Sequence, residues 1–244
     1  MTTNTARVLQ APVELDDSRW KPQLRVCGTK RTGIAEHLNQ LRDHGMRLRF
    51  QRNEMIFAEQ DSATHIYSVT AGCVRLCRHV PDGRRHISDF MLPGDVFGVG
   101  EYQLYPFAAE AVNNVTVIAF PRPAFERLGE ANPRLRTDLM VHYSAMLMRA
   151  QQHLFTASCQ SARERMGSFI QHLFEQEQLV YGDCIDIPMN RQEIADHLGL
   201  TIETICRVLA AMRNGGILEI PNAHQLVVKR PDILRAIAEG RSTQ

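Results

Sequence analysis

The chain has 244 residues, enough for one large domain or two small ones around a real core. Its 44% hydrophobic and 23% charged residues exclude a disordered chain, and no apolar run approaches the roughly 18 residues that a membrane helix needs. The formal net charge of +1 does not by itself signal nucleic acid, and the opening MTTNTARVLQ lacks the charged-then-apolar layout of a signal peptide, so a cytoplasmic chain with no membrane partner is expected.

The six cysteines (Cys27, Cys73, Cys77, Cys159, Cys184 and Cys206) are scattered with no C-x-x-C, which argues against a disulfide scaffold and against a zinc knuckle. On a strand, Cys73 and Cys77 would share a face about 13 Å apart, too far to chelate one ion together. No metal site is expected. Of the 28 Lys+Arg only Lys21, Lys30 and Lys229 are lysines. Arginine is the better fork for phosphate and guanine, although a GC-rich coding sequence produces the same bias.

Residues 1–30 are polar, with Pro12, Pro22 and Gly28, and read as a flexible tail. A short helix is expected over 31–45, with Ile34, Leu38 and Leu41 on one face. Over 46–120 the apolar runs MRLRF, HIYSV, CVRLC, HISDFML and VTVIAF alternate with turn signals about every 8–12 residues, the pattern of a small antiparallel sandwich or barrel. Pro81-Asp82-Gly83 is a hairpin signal. A second short helix follows over 121–131 with Phe125 and Leu128 apolar, and Pro133 then opens a long one. Leu135, Leu139, Tyr143, Met146, Ala150, Leu154 and Ala157 form a near-heptad seam on it, expected to pair with a second copy rather than only with its own domain. Another helix is expected over 161–179, on Met166, Phe169, Ile170, Leu173 and Phe174, broken by Gly182.

Arg191–Leu218 has the spacing of a helix-turn-helix. Ile194, Ala195 and Leu198 mark a first helix, and small Ala195 permits close approach of the second. Gly199 supplies the turn, Leu200 plugs the junction and Thr201 caps the second helix. On that helix Ile205, Val208, Leu209 and Met212 point inward, which leaves Glu203, Cys206, Arg207 and Ala210 outside. Arginine can donate twice to guanine, and glutamate can accept from cytosine. The competing reading of Glu203 and Arg207 is an ordinary i,i+4 surface pair. Gly215-Gly216 ends the helix, and ILEI and QLVVK around Pro221-Asn222-Ala223-His224 read as a wing. Lys229-Arg230 beyond it is either a phosphate contact or solvated charge. Residues 159–244 carry 9 Lys+Arg and 11 Asp+Glu, so any basic face must come from geometry.

This order resembles the CRP/FNR superfamily of bacterial transcription regulators over residues 30–235, most of all in LGLTIETICR (Leu198–Arg207) and LPGDVFGVGE (Leu92–Glu101). The FNR branch carries E-x-x-S-R on its recognition helix; here Glu203 and Arg207 match and Cys206 replaces the serine. The resemblance implies an α+β chain: tail 1–30, an antiparallel β-roll of the cyclic-nucleotide-binding type over 31–131, a dimerisation helix over 132–158, and a winged helix-turn-helix DNA-binding domain over 159–244. It implies a homodimer on double-stranded DNA, on a palindrome of TTGA-type half-sites, with recognition helices about 34 Å apart. Arg207 would read the guanine and Glu203 its neighbouring pairs. Arg191, Gln192, Thr201 and Thr204 would position on phosphates. Surface loops including Pro81–Arg85 would contact RNA polymerase to activate transcription.

Departures from the family pattern narrow the branch. Phe107 and Ala108 stand where the cAMP-binding members carry an Arg-Ser pair, so the phosphate lacks its counter-charge and no cAMP binding is expected. Only Cys27 precedes the roll, and Ile118 takes the internal cysteine position, so no iron–sulfur cluster is expected. What remains is similar to FixK-type regulators, without a cofactor, in nitrogen fixation or a low-oxygen response.

Cys206, beside Arg207 and in the first turns of its helix, is a candidate redox-sensitive thiol whose oxidation would add bulk and charge against phosphate; neutral drift from serine is the alternative. A haem-dependent, nitric-oxide-responsive regulator is a second reading, although His65, His79 and His86 show no axial pair. A cupin-like metalloenzyme is remote, since the roll has no H-x-H and no nucleophile–base set; the chain is not expected to be an enzyme. A scaffold dimer that does not bind DNA would have no use for the exposed Glu203/Arg207 face.

Overall fold

The computed structural model describes residues 33–100, 103–176 and 178–241. The expected tail 1–30, with Cys27, lies outside the described residues. The short helix predicted over 31–45 is α1 (Ile34–Leu38) followed by a 3-10 turn, Asn39–His44.

Strands β1 (Met46–Phe50), β2 (Met55–Phe57), β3 (His65–Ala71), β4 (Val74–His79), β5 (Arg85–Met91), β6 (Val96–Phe97), β7 (Ala108–Ala111) and β8 (Val115–Pro121) build the roll. They form two antiparallel sheets, ordered β1-β8-β3-β6 and β2-β7-β4-β5. Leu48, Val69, Val74, Val115 and Val117 fill the space between them. Phe57 stacks on Tyr105 with ring centroids 3.7 Å apart, and Tyr67 on Phe97 at 5.2 Å. The β4–β5 hairpin turns at Gly83, whose φ of 87° favours a residue without Cβ. β2, β6 and β7 escaped the sequence reading. The first two are too short to show a period, and all four residues of β7 are buried, so it has no alternation to read.

A second apolar layer covers the outer face of the first sheet: Ile34, Leu38, Ile66, Phe120, Phe125 and Leu135. It joins α1, α2 (Arg122–Ala131) and α3 (Pro133–Cys159). The Asn132 side chain accepts from the Arg134 and Leu135 N–H groups and starts α3 one residue later than the predicted 132–158. Leu135 is fully buried in this layer and Leu139 packs on it, so both serve the protomer, which corrects the expected seam. Tyr143, Met146, Ala150, Leu154 and Ala157 remain exposed. Beside them lie Met140, Val141, Leu147, Met148 and Phe155, also exposed and missed because they lie off the seam chosen from the sequence.

The C-terminal head consists of α4 (Ala162–Phe174), β9 (Val180–Tyr181), β10 (Cys184–Asp186), α5 (Arg191–Leu198), α6 (Ile202–Asn214), β11 (Leu218–Asn222), β12 (Gln225–Val228) and α7 (Pro231–Ala238). α4 stops at Phe174 rather than near 179. Gly182 does not end it but turns the β9–β10 hairpin with φ 64°. Those two strands extend the wing into a sheet ordered β11-β12-β10-β9.

Head and roll share a buried junction. Cys73, Leu92 and Val112 of the roll belong to the head's apolar core, while Cys77 lies in a separate cluster with Ile87 and Ala108. Arg75, 3% exposed, donates to Glu110 at 2.6 Å in its own sheet and to Glu193 of α5 at 2.5 Å. Arg85 meets Asp196 of α5 at 2.8 Å. His197 Nδ1 donates to the Ile87 carbonyl at 3.0 Å.

Removing one partner of a buried ion pair strands the others, so Arg75→Met is expected to cost about 3–5 kcal/mol in urea unfolding. Lys229→Met, which breaks an exposed 3.3 Å pair with Glu219, is expected to cost under about 1 kcal/mol. Equal losses would show that the Arg75 network contributes no more than a surface pair.

Burial holds His197 down at about 4, with His153 and His86 pushing the same way and the Ile87 carbonyl and Asp89 opposing. Burial holds His142 at about 4 as well. The unfolded imidazoles take up protons near 6.5, before the folded ones. The stability from keeping them neutral is therefore complete above about pH 6.5 and is lost as pH falls toward 4. Tm should be flat above pH 6.5 and decline below it, and His197→Gln should flatten part of that decline; a profile identical to the parent's would exclude His197 as its source.

Candidate nucleic-acid interface

Local chemistry fixes the two helices of the candidate interface. At the start of α5, Asn190 Oδ1 accepts from the Glu193 N–H at 2.9 Å, and Glu193 Oε2 accepts from the Asn190 N–H at 2.7 Å, a reciprocal cap. α5 ends at Gly199, in the left-handed region at φ 64° and ψ 39°. Thr201 Oγ1 then accepts from the Thr204 N–H at 3.2 Å and starts α6. Ile194, Ala195, Leu198, Ile205, Leu209 and Met212 are buried, with Leu200 and Val208 packed against them.

The opposite face of α6 carries Glu203, Cys206 and Arg207, all exposed. No ion pair joins Glu203 to Arg207 among the described residues, so the i,i+4 surface pair considered from the sequence does not form. The Glu203 carboxylate is held below its usual range by its own backbone N–H and by the Thr201 hydroxyl. Ala210 is half-buried and sits at the edge of this face.

The residues expected on phosphates sit around the same helix ends. Arg191 opens α5, is half-buried, and its Nη1 is buried without a hydrogen-bond partner among the described residues. Burial lowers its pKa, and the Cys206 thiol is the charge neighbour that opposes this. Thr201 is exposed and Thr204 half-buried, with their hydroxyl oxygens 3.1 Å apart. Gln192 Nε2 donates to Asp196 at 2.7 Å, which aims its side chain along α5. Lys229 and Arg230 are occupied by Glu219 and Asp232, both at 3.3 Å.

Arg165 of α4 was not singled out from the sequence. Its Nη1 donates to the Leu198 carbonyl at 3.1 Å, Nε to Gln160 at 3.0 Å and Nη2 to Ala157 at 2.6 Å. It ties the end of α3 to the turn before α6. An arginine on an amphipathic helix carries no sequence signal for such a role.

In the roll, Arg85 turns inward to Asp196, which leaves Pro81–Arg84 as the exposed part of the hairpin tip. Phe107 stands under the Arg78 guanidinium at 5.1 Å. A cavity of ≈ 50 Å³ lies between Phe57, Phe97, Tyr105, Phe107 and His142. His65, His79 and His86 have separate partners, Thr64, Glu110 and His153. No helix among the described residues is long and apolar enough to cross a membrane.

Residues 47–132 match the cyclic nucleotide-binding domain, and residues 164–237 the Crp-like helix-turn-helix domain. The chain is 35% identical over 191 residues to nitrogen fixation regulation protein FixK of Azorhizobium caulinodans, covering 77% of each chain. It is 33% identical over 220 residues to transcriptional activatory protein AadR of Rhodopseudomonas palustris, covering 89% of this chain and 87% of that one. The solved structure of FixK2 from Bradyrhizobium japonicum superposes with a TM-score of 0.77 at 29% identity, covering 82% of this chain and 98% of that one. With a β-roll, a long helix and an exposed polar face on a helix-turn-helix, the chain belongs to the CRP/FNR superfamily of DNA-binding transcription regulators, in its FixK-like branch.

Proposed function

We propose that the chain acts in the cytoplasm as a homodimer that reads TTGA-type palindromes and activates transcription through RNA polymerase. The observation that carries this is the exposed trio Glu203, Cys206 and Arg207 on α6, with Arg207 free of any ion pair among the described residues. Arg207 suits guanine O6 and N7, Glu203 suits a cytosine amino group, and Cys206 is small enough to meet a thymine methyl. Arg191, half-buried in the first turn of α5, is assigned a phosphate contact in this reading, with Gln192, Thr201 and Thr204 completing the positioning set. The exposed hairpin tip Pro81–Arg84 is the surface proposed for RNA polymerase. The names of the relatives support a role in the regulation of nitrogen fixation, and a low-oxygen response is the alternative proposed.

Cyclic nucleotide is not part of this reading. The ≈ 50 Å³ roll cavity falls far below the roughly 300 Å³ at the small end of ligand pockets, and Phe107 brings a ring where a phosphate would need an arginine. A second reading adds control by oxidation of Cys206, and rests on its exposure beside Arg191 and Arg207.

A titration on a TTGA palindrome and a scrambled duplex at several salt concentrations tests the reading face. Arg207→Ala should cost about 1–3 kcal/mol and relax the guanine preference, whereas Arg191→Ala should weaken both duplexes alike and reduce the salt slope by about 1. Equal affinity of the parent for both duplexes would sink the assignment. With peroxide, specific binding should fall and return with thiol reductant; a Cys206→Ser protein that loses binding as fast as the parent would remove the redox reading.

The exposed α3 stripe is proposed as the dimer seam, with Met140, Leu147 and Leu154 at heptad spacing beside Tyr143, Met146, Ala150 and Ala157. Leu147→Asp should sediment as a monomer and lose palindrome binding about tenfold or more; an unchanged dimer would place the seam elsewhere.

A further inference from the structure

Cys77 and His79 point to one side of β4, and the pairing of β4 with β7 brings Glu110 beside them. One donor atom from each lies within 4.8 Å of the other two. The sequence shows only Cys-x-His; the third donor arrives by sheet pairing, so no spacing rule finds the set. A β-bulge between Leu76 and Cys77 in the β4–β5 pairing marks the place. Cys77 and Glu110 are buried while the His79 side chain is 51% exposed, so two donors are fixed and the third can swing to close the site or admit an ion.

We propose that Cys77, His79 and Glu110 bind a thiophilic divalent cation of the zinc class at the junction of roll and head. Thiolate, imidazole and carboxylate are the ligand types that such an ion takes, with a fourth position left to water. Bonds of about 2.0–2.3 Å set tetrahedral donors about 3.5 Å apart, so closure asks for roughly 1 Å of movement, which exposed His79 supplies.

The surrounding charge admits one more positive unit. Glu110 Oε2 faces Arg75 at 2.6 Å and Arg85 at 3.7 Å, while Oε1 faces His79 at 3.5 Å. Glu193 and Asp196 in turn balance the two arginines, at 2.5 and 2.8 Å. Three carboxylates therefore share two guanidiniums. On binding, the Cys77 S–H bond breaks, its proton leaves to solvent and the sulfur–metal bond forms, with no change of oxidation state. The net gain is one positive charge, and the cluster becomes neutral. Because Glu110 also holds Arg75, and Arg75 holds Glu193, occupancy stiffens the link between roll and head.

The test uses full-length protein without a histidine tag, stripped with chelator and titrated with Co²⁺ as a spectroscopic probe. The parent should show a thiolate-to-cobalt charge-transfer band that Zn²⁺ bleaches. His79→Ala, a surface change that leaves the fold intact by circular dichroism, should weaken Co²⁺ binding about tenfold or more. Cys77→Ser should abolish the band, and Cys206→Ser and Cys159→Ser should retain it. Absence of a thiolate band in the parent would overturn the proposal, as would a band of parental affinity in His79→Ala; the His79 variant decides the matter even if Cys77→Ser fails to fold.

Discussion

Taking the Arg75 guanidinium out of water costs several kcal/mol, and the junction between roll and head is arranged around its recovery. Glu110 supplies half of the match from the roll itself. Glu193 supplies the other half from α5, and only when the head is docked. Apolar contact by Cys73, Leu92 and Val112 would tolerate many head orientations, because the hydrophobic effect has no direction. A buried guanidinium between two carboxylates tolerates few. The ion pairs thus fix where α5 sits, and through Gly199 and Arg165 they fix where α6 presents its face.

The same carboxylate works at two levels. Glu193 Oε2 closes the cap of α5 and Oε1 meets Arg75. Local helix chemistry and long-range docking therefore share one side chain. α6 divides its duties differently. Ile205, Leu209 and Met212 hold it in the head's core, and this leaves Glu203, Cys206 and Arg207 exposed without cost to packing.

Sequence legibility followed the range of the interactions. Gly83, Pro133, Gly199 and Thr201 act within a few residues of themselves, so the hairpin, the helix starts and the helix-turn-helix could be read directly. The exposed face of α6 followed from the helical period. What could not be read came from pairing across the chain. β7 has no alternation because both of its faces are covered. Leu135 obeys the seam's period yet packs inward, because α1 and α2 lie against the first turns of α3. The partners of Arg75, Arg85 and Arg165 are set by tertiary placement alone. Glu110 beside Cys77 and His79 belongs to the same class, as does the inward turn of Arg85 away from the hairpin tip.

The separation of Arg75 from Glu193 by 118 residues has a consequence for synthesis. At about 5–20 residues per second, the ribosome needs roughly 6–24 s to add that length. Through the last 72 residues of that interval, after β8 ends at Pro121, the finished roll holds an arginine whose second partner does not yet exist, next to Leu92 and Val112 without their apolar cover. The roll waits in an incompletely neutralised, partly sticky form until α5 emerges. Any pause in translation between β4 and α5 prolongs that exposure, and a chain truncated there keeps it permanently.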